Sequence, residues 1–194
     1  FCGLWRPMPG GAGTSKCYFN ILHKNYNIFV PNSLLTNPHT ELWNHHTSKT
    51  YDLNANWALY CENYLEGLHV PFVHKSLNSE IDIKSYKTEL LDNGVVQYAL
   101  GKDNNVYAWY FWIFPNIMFN FYDWGLSVNL VEPVSVNQTR IKFLFYPIKN
   151  SQKVTTKIKK LHDVEIEDEQ VILNVQRGVK SKFYKNGRYS SEHE

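Results

Sequence analysis

Apolar positions along this chain follow two patterns. Between residues 86 and 146 they gather in short runs parted by turn residues: Tyr86–Leu91, Val95–Leu100, Val106–Phe114, Ile117–Tyr122, Leu126–Val134 and Thr139–Tyr146. Each run reads as a strand, and Asp92-Asn93-Gly94 between the first two is a hairpin signal. Thr50–Leu53 reads as a further strand, and Cys17–Leu22 with Tyr26–Val30 as a hairpin near the start. After residue 150 the pattern changes. From Ser151 to Tyr184 there is no proline and the first glycine is Gly178, so a long helical region is expected. At about 100° per residue, Leu161, Val164, Ile172, Val175, Val179 and Phe183 fall on one stripe roughly 100° wide. Strands followed by one long helix predict an α+β fold, an antiparallel sheet packed on a long C-terminal helix.

Asp168 falls near the centre of that stripe, while Glu165, Glu167 and Glu169 fall at its edge or outside it. A carboxylate on a buried face costs several kcal/mol unless it is paired, protonated or bound to metal. A lysine or arginine partner would meet that need, as would a bend that frees the side chain, and so would a metal ion. Candidate co-ligands stand at His69 and His74. Five positions correspond to about 140° around a straight helix, too far to share a ligand. Pro71 lies between them and cannot continue a regular helix. A helix from Asn56 to Leu68 that breaks at Val70-Pro71 would swing His74 back toward His69. Two His and one carboxylate on one face of a metal is the ligand set of non-heme Fe(II) oxygenases. The HExxH pattern of zinc hydrolases is absent.

These residues resemble a known family. Asn56-Trp57, Glu62-Asn63-Tyr64, Glu66, His69 and His74 match the signature of Rieske-type oxygenase large subunits, the ring-hydroxylating dioxygenase and choline-monooxygenase-like enzymes. Glu167-Asp168 and Val175-Gln176-Arg177-Gly178-Val179-Lys180-Ser181 are similar to the family's last motif, and Tyr107–Asn116 resembles the strand entering its substrate pocket. The resemblance implies a helix-grip, START-like catalytic domain over 47–194, with mononuclear Fe(II) on His69, His74 and Asp168. It implies that Glu66 carries electrons from the Rieske cluster of a neighbouring subunit, and that Asn63 lies near the iron. Dioxygenases usually place Asp where Glu66 stands, so this chain leans toward the monooxygenase side. The implied reaction hydroxylates an aromatic or other small organic substrate with O2, as in aromatic-hydrocarbon catabolism. A reductase or ferredoxin supplies the electrons, and the intact protein is a homotrimer. Two other readings stay open: a metal-free START-like lipid or small-molecule carrier, and a zinc-dependent hydrolase using His69, His74 and Glu66.

The ligands of a [2Fe-2S] Rieske cluster are not in this chain. Such a cluster needs a Cys-x-His and a Cys-x2-His pair, and Cys2, Cys17 and Cys61 stand in neither. Because the chain starts at Phe1, a fragment is expected, with residues 1–46 a remnant of or linker from a Rieske domain. Composition excludes other classes. A net charge of +2 leaves no nucleic-acid footprint, and Lys153, Lys157, Lys159 and Lys160 read as the solvated side of the helix. No run reaches the roughly 18 apolar residues of a membrane span. Three cysteines without a framework fit a reducing compartment, so a cytoplasmic location is expected. His45-His46 reads as surface. Gly10–Lys16 lacks the Gly-Lys-Ser/Thr of a phosphate loop and reads as loop. The aromatic residues between 107 and 124 suit a substrate cavity, although most of such rings fill core.

Overall fold

Strand-forming runs between 81 and 147 pair in sequence order, as their short turns dictate, and the run at 47–53 pairs with the last of them. The computed structural model describes residues 17–21, 24–28, 45–148 and 153–187. Among them β3 (Thr47–Leu53), β4 (Ile81–Leu91), β5 (Gly94–Gly101), β6 (Val106–Ile113), β7 (Ile117–Tyr122), β8 (Gly125–Ser135) and β9 (Gln138–Pro147) form one seven-stranded sheet. Its order is β3-β9-β8-β7-β6-β5-β4, antiparallel throughout. Leu91 pairs with Gly94 across the Asp92-Asn93 turn, where a Cβ on Gly94 would sit 2.1 Å from the Trp112 carbonyl oxygen. Only glycine fits that approach. Three short helices join β3 to β4: α1 (Trp57–Tyr64), α2 (Val70–Val73) and α3 (Lys75–Glu80). The long helix α4 (Val154–Val179) follows the last strand. The expected α+β arrangement of antiparallel sheet and long C-terminal helix is the observed one.

On β9 the residues Thr139, Ile141, Phe143 and Phe145 alternate inward, the period-2 signature of a strand with one buried face. The three apolar ones join Leu53, Tyr60, Cys61, Met118, Trp124, Val131, Ile158 and Ile172 in one core between sheet and helices. Two polar bonds, the first of them buried, lock the start of α1 in place. Thr139 Oγ1 donates to the Ala55 carbonyl at 2.8 Å, and the Asn56 amide donates to Gln176 Oε1 at 2.7 Å.

Three local expectations differ from the structure. The helix expected over Asn56–Leu68 stops at Tyr64, and Pro71 opens a new turn of helix instead of breaking an old one. Proline is at home in a first turn because the donor it lacks has no partner there. The buried face of α4 is also rotated from the expected stripe: Ile158, Glu165, Ile172 and Gln176 are buried, while Val175 is exposed. Phe183, beyond the helix end, is 80% exposed. Glu165 therefore lies at the centre of the buried face and Asp168 toward its flank.

The chain divides into two compact units, Phe1–Trp43 and Asn44–Glu194. In the first, β1 (Cys17–Ile21) and β2 (Lys24–Ile28) form the hairpin expected near the start. The loop expected at Gly10–Lys16 and most of the remaining segment 1–46, expected to be a remnant of or linker from a Rieske domain, lie outside the described residues. His45 and His46 are exposed, as expected of surface residues.

Candidate metal centre

His69 and His74 cap the two ends of α2, a single turn. His74 leaves the helical region at φ −100°, ψ 74°, which turns its side chain back toward His69. The same residue opens α3. Asp168 comes from α4, one residue beyond Glu167. The Nε2 atoms of the two imidazoles lie 3.1 Å apart. Asp168 Oδ1 lies 3.0 Å from Nε2 of His74 and 3.4 Å from Nε2 of His69. One ligand atom from each of these three residues can lie within 4.8 Å of the other two.

The outer ring nitrogens are already engaged. His69 Nδ1 donates to Glu66 Oε1 at 2.5 Å, and His74 Nδ1 donates to Glu167 Oε2 at 2.7 Å. With both Nδ1 protons so held, neutral rings present bare Nε2 lone pairs to each other and to the Asp168 carboxylate. Three converging acceptors repel unless a cation or protons sit among them. Without metal, protons fill the gap. Burial works against the charged imidazolium of His69, but bonds to Asp168 and Glu66 outweigh it and lift its pKa to about 9. His74 is raised against the same burial cost, chiefly by Asp168. Burial of Asp168 is likewise outweighed by the two imidazoles, which lower its pKa. The donor set, two imidazoles and a carboxylate with braced outer nitrogens, fits a divalent transition metal.

The other expected site residues take definite places. Asn63 Nδ2 donates to Asp168 Oδ1 at 2.7 Å, linking α1 to the cluster. Glu66 does not lie on a helical face, as the longer helix would have had it. It sits in the connection after α1, where its Oε2 accepts the backbone N–H groups of Leu68 and His69. It thereby caps α2 while holding His69. Its carboxylate is on the outer side of that ring, away from the three converging atoms, a poor placement for the third ligand of a zinc hydrolase. Glu167, off the centre of the expected stripe, is the partner of the nearly inaccessible His74. No periodicity could have found it, because its role depends on α2 meeting α4.

A cavity of about 150 Å³ adjoins the cluster. Tyr60, Tyr64, Tyr86, Tyr107, Tyr110 and Tyr122 line it, together with Glu165 and the site residues. Tyr64 Oη donates to Asn120 Oδ1 at 2.7 Å, and Asn120 Nδ2 donates to Asn129 Oδ1 at 3.3 Å, so the sheet-side wall is fixed by buried hydrogen bonds. Lys160 is exposed, as expected of the solvated helix side, yet it also reaches the cavity lining and pairs with Glu80, which accepts from Tyr107 at 2.7 Å.

Comparison with known families matches residues 40–94 and 88–194 to the ring hydroxylating alpha subunit catalytic domain. The chain belongs to this family. It is 30% identical over 156 residues to chloroplastic choline monooxygenase of Arabidopsis thaliana, and 28% over 153 residues to that of Amaranthus tricolor. These alignments cover 73% and 72% of this chain but only 37% and 34% of the relatives, so the chain spans about a third of their length. The quaternary ammonium Rieske monooxygenase CntA with L-carnitine superposes with a TM-score of 0.65 at 25% identity. That match covers 73% of this chain and 40% of CntA. Naphthalene 1,2-dioxygenase from Rhodococcus sp. shares the fold at 12% identity and a TM-score of 0.56, over 73% of this chain and 46% of that one. The curated relatives are named for choline, so the expected tie to aromatic-hydrocarbon catabolism finds no support among them. Among the described residues no helix is long and apolar enough to cross a membrane.

Proposed function

We propose that this chain is the catalytic part of a Rieske-type oxygenase that hydroxylates a small alkylammonium compound with O2, using Fe(II) held by His69, His74 and Asp168. One observation carries the metal assignment: three acceptor atoms converge while both outer imidazole nitrogens are taken by carboxylates. The substrate class draws support from the names of the relatives and from the tyrosine lining, because cations bind over aromatic faces. Bound Fe(II) supplies the open coordination positions that O2 chemistry requires.

The chain's own residues do the rest. Glu66 and Glu167 hold the imidazoles in the ligating tautomer, and Asn63 orients Asp168. The tyrosines exclude water and give the substrate a face to rest on. Residues 47–194 form the catalytic domain. Residues 1–46 connect it to a preceding Rieske domain, whose [2Fe-2S] cluster is reduced by a ferredoxin or reductase. Glu66 lies on the electron route between subunits of a homotrimer. Leu68 and Phe72, 39% and 83% exposed beside it, fit a face that a neighbouring subunit covers. Cys61 is a buried free thiol, in keeping with a cytoplasmic enzyme.

The test is to express the full-length protein, quantify metal, and supply isotopically labelled O2 with choline and related quaternary amines. Stoichiometric iron and label in a hydroxylated product are the expected result. Zinc in place of iron, or product without label, refutes the proposal.

A further inference from the structure

At the centre of the buried face of α4 stands Glu165, 4% exposed, a position better suited to leucine. Its Oε2 accepts from Tyr60 Oη at 2.8 Å, whereas its Oε1 has no hydrogen-bond partner. It lines the same cavity as the tyrosines. It is not one of the residues whose atoms converge at the metal centre. A single acceptor for Tyr60 does not explain a carboxyl here, since a neutral side chain would meet that need without leaving a second buried oxygen orphaned. Buried orphaned polar atoms cost on the order of 1–3 kcal/mol and call for a reason.

Among the described residues no cation supplies that reason. Burial pushes the Glu165 carboxyl well above the usual carboxylate range, and Asp168 and Glu169 push the same way against the hydrogen bond from Tyr60. Without a cation the cavity therefore favours the protonated group, and an entering cation takes the proton's place, the proton leaving to solvent. Lys160, the lysine that lines the cavity, is held by Glu80. The cavity thus combines a ring of aromatic faces with an uncompensated buried carboxyl, the two elements that together receive an organic cation. Glu165 precedes Asp168 by three residues, about 4.5 Å along the helix axis. A head group held by Glu165 would lie beside the metal ligands.

Resting on the oxygenase reading above, we propose that Glu165 is the specificity-determining counter-charge for the substrate's ammonium head group, the residue that makes the tyrosine-lined cavity prefer a cation to its neutral isostere. The probes are choline and 3,3-dimethylbutan-1-ol, which has the same shape with carbon in place of the charged nitrogen. Binding of each to full-length, iron-loaded protein without O2 is measured by calorimetry. Wild type should prefer choline by about tenfold or more. Glu165→Gln should lose most of that preference through weaker choline binding, with the neutral analogue bound as before. Glu165→Asp keeps the charge but withdraws it, so choline should weaken severalfold while the analogue does not change.

Several results overturn the proposal. Wild type that binds both probes equally, or neither, removes the cation preference itself. Glu165→Gln that keeps the preference removes Glu165 from it, as does Glu165→Asp with wild-type choline affinity should the Gln variant not fold. Equal loss of both probes in Glu165→Gln marks a packing role. Iron content measured on the same samples separates the two levels. Missing metal in wild type faults the oxygenase reading, whereas a missing charge effect with metal in place faults only the role of Glu165.

Discussion

Two carboxylates that touch only the outer nitrogens of the histidines decide how well the inner ones can bind. Glu167 is 42% exposed at its side chain and accepts from a His74 ring that is nearly inaccessible. Glu167→Gln keeps the size but weakens the hold on the ring, and loss of such an outer partner typically costs about 10–100-fold in metal affinity. Equilibrium iron titration of the variant should show that loss, with the melting temperature of the metal-free protein little changed. Asp168 behaves differently. It is ion-pair partner of both histidines and acceptor for Asn63, and on the proposed assignment it is also the third ligand. Asp168→Ala should abolish stoichiometric iron. It should also destabilise the metal-free protein by about 3 kcal/mol, because the part-buried His69 and the buried His74 lose the carboxylate that favours their charged forms. Urea melts of both metal-free proteins check this; equal stability would mean that the histidines are neutral there.

The connection between α1 and α2 sets where His69 points. Gly67 lies in it, and a Cβ there would sit 2.7 Å from Cζ of Tyr86. The ring has little room to move. Tyr86 Oη donates to Gln97 Oε1 at 3.1 Å, and Gln97 Nε2 donates to the Tyr64 carbonyl at 2.7 Å. Gly67→Ala should therefore cost about 1–3 kcal/mol, read by urea unfolding. It should also weaken choline binding, because Tyr86 lines the cavity. Wild-type stability together with wild-type affinity would mean that the loop gives way instead of the ring. The elements themselves were largely legible from the chain. Ile117–Tyr122 appears with its expected ends, and the remaining sheet strands differ from their expected bounds by a few residues. The end of α1 differs from the expected one. Leu65 to His69 carry no breaker stronger than Gly67, and the helix stops where Glu66 turns to cap α2.

At the scale of the whole molecule, acidity and assembly are the measurable consequences. The folded pKa of His69, about 9, lies above the ordinary histidine value of 6.5. Its contribution to the stability of the metal-free protein is complete below pH 6.5 and is lost as pH rises through about 9. Thermal melts of the metal-free protein should thus fall between those values, and iron should flatten the profile by replacing the protons. Assembly is tested at Phe72, whose exposed ring stands two residues before His74. If a neighbouring subunit covers it, Phe72→Asp in the full-length protein should dissociate the trimer while iron stays bound. Light scattering with metal analysis reads both, and a wild-type monomer would refute the subunit-bridging role of Glu66.

The strand runs from 86 to 146, the long final helix and the candidacy of His69 with His74 were readable from the chain, since short turns, helical periodicity and a proline between two histidines are local properties. The pairing of β3 with β9 was not. Asp168 could be nominated because a carboxylate near an apolar stripe carries a cost wherever the helix packs. The rotation of that helix was another matter. It depends on which face meets Tyr60, Asn56 and the sheet, and these contacts moved Glu165 to the centre and exposed Val175. The partnership of Glu167 with His74 spans 93 residues, and that of Lys160 with Glu80 spans 80. Such pairings exist only where α4 crosses the short helices, so tertiary packing alone decided which acid braces a ligand, which seals the cavity and which lies buried within it.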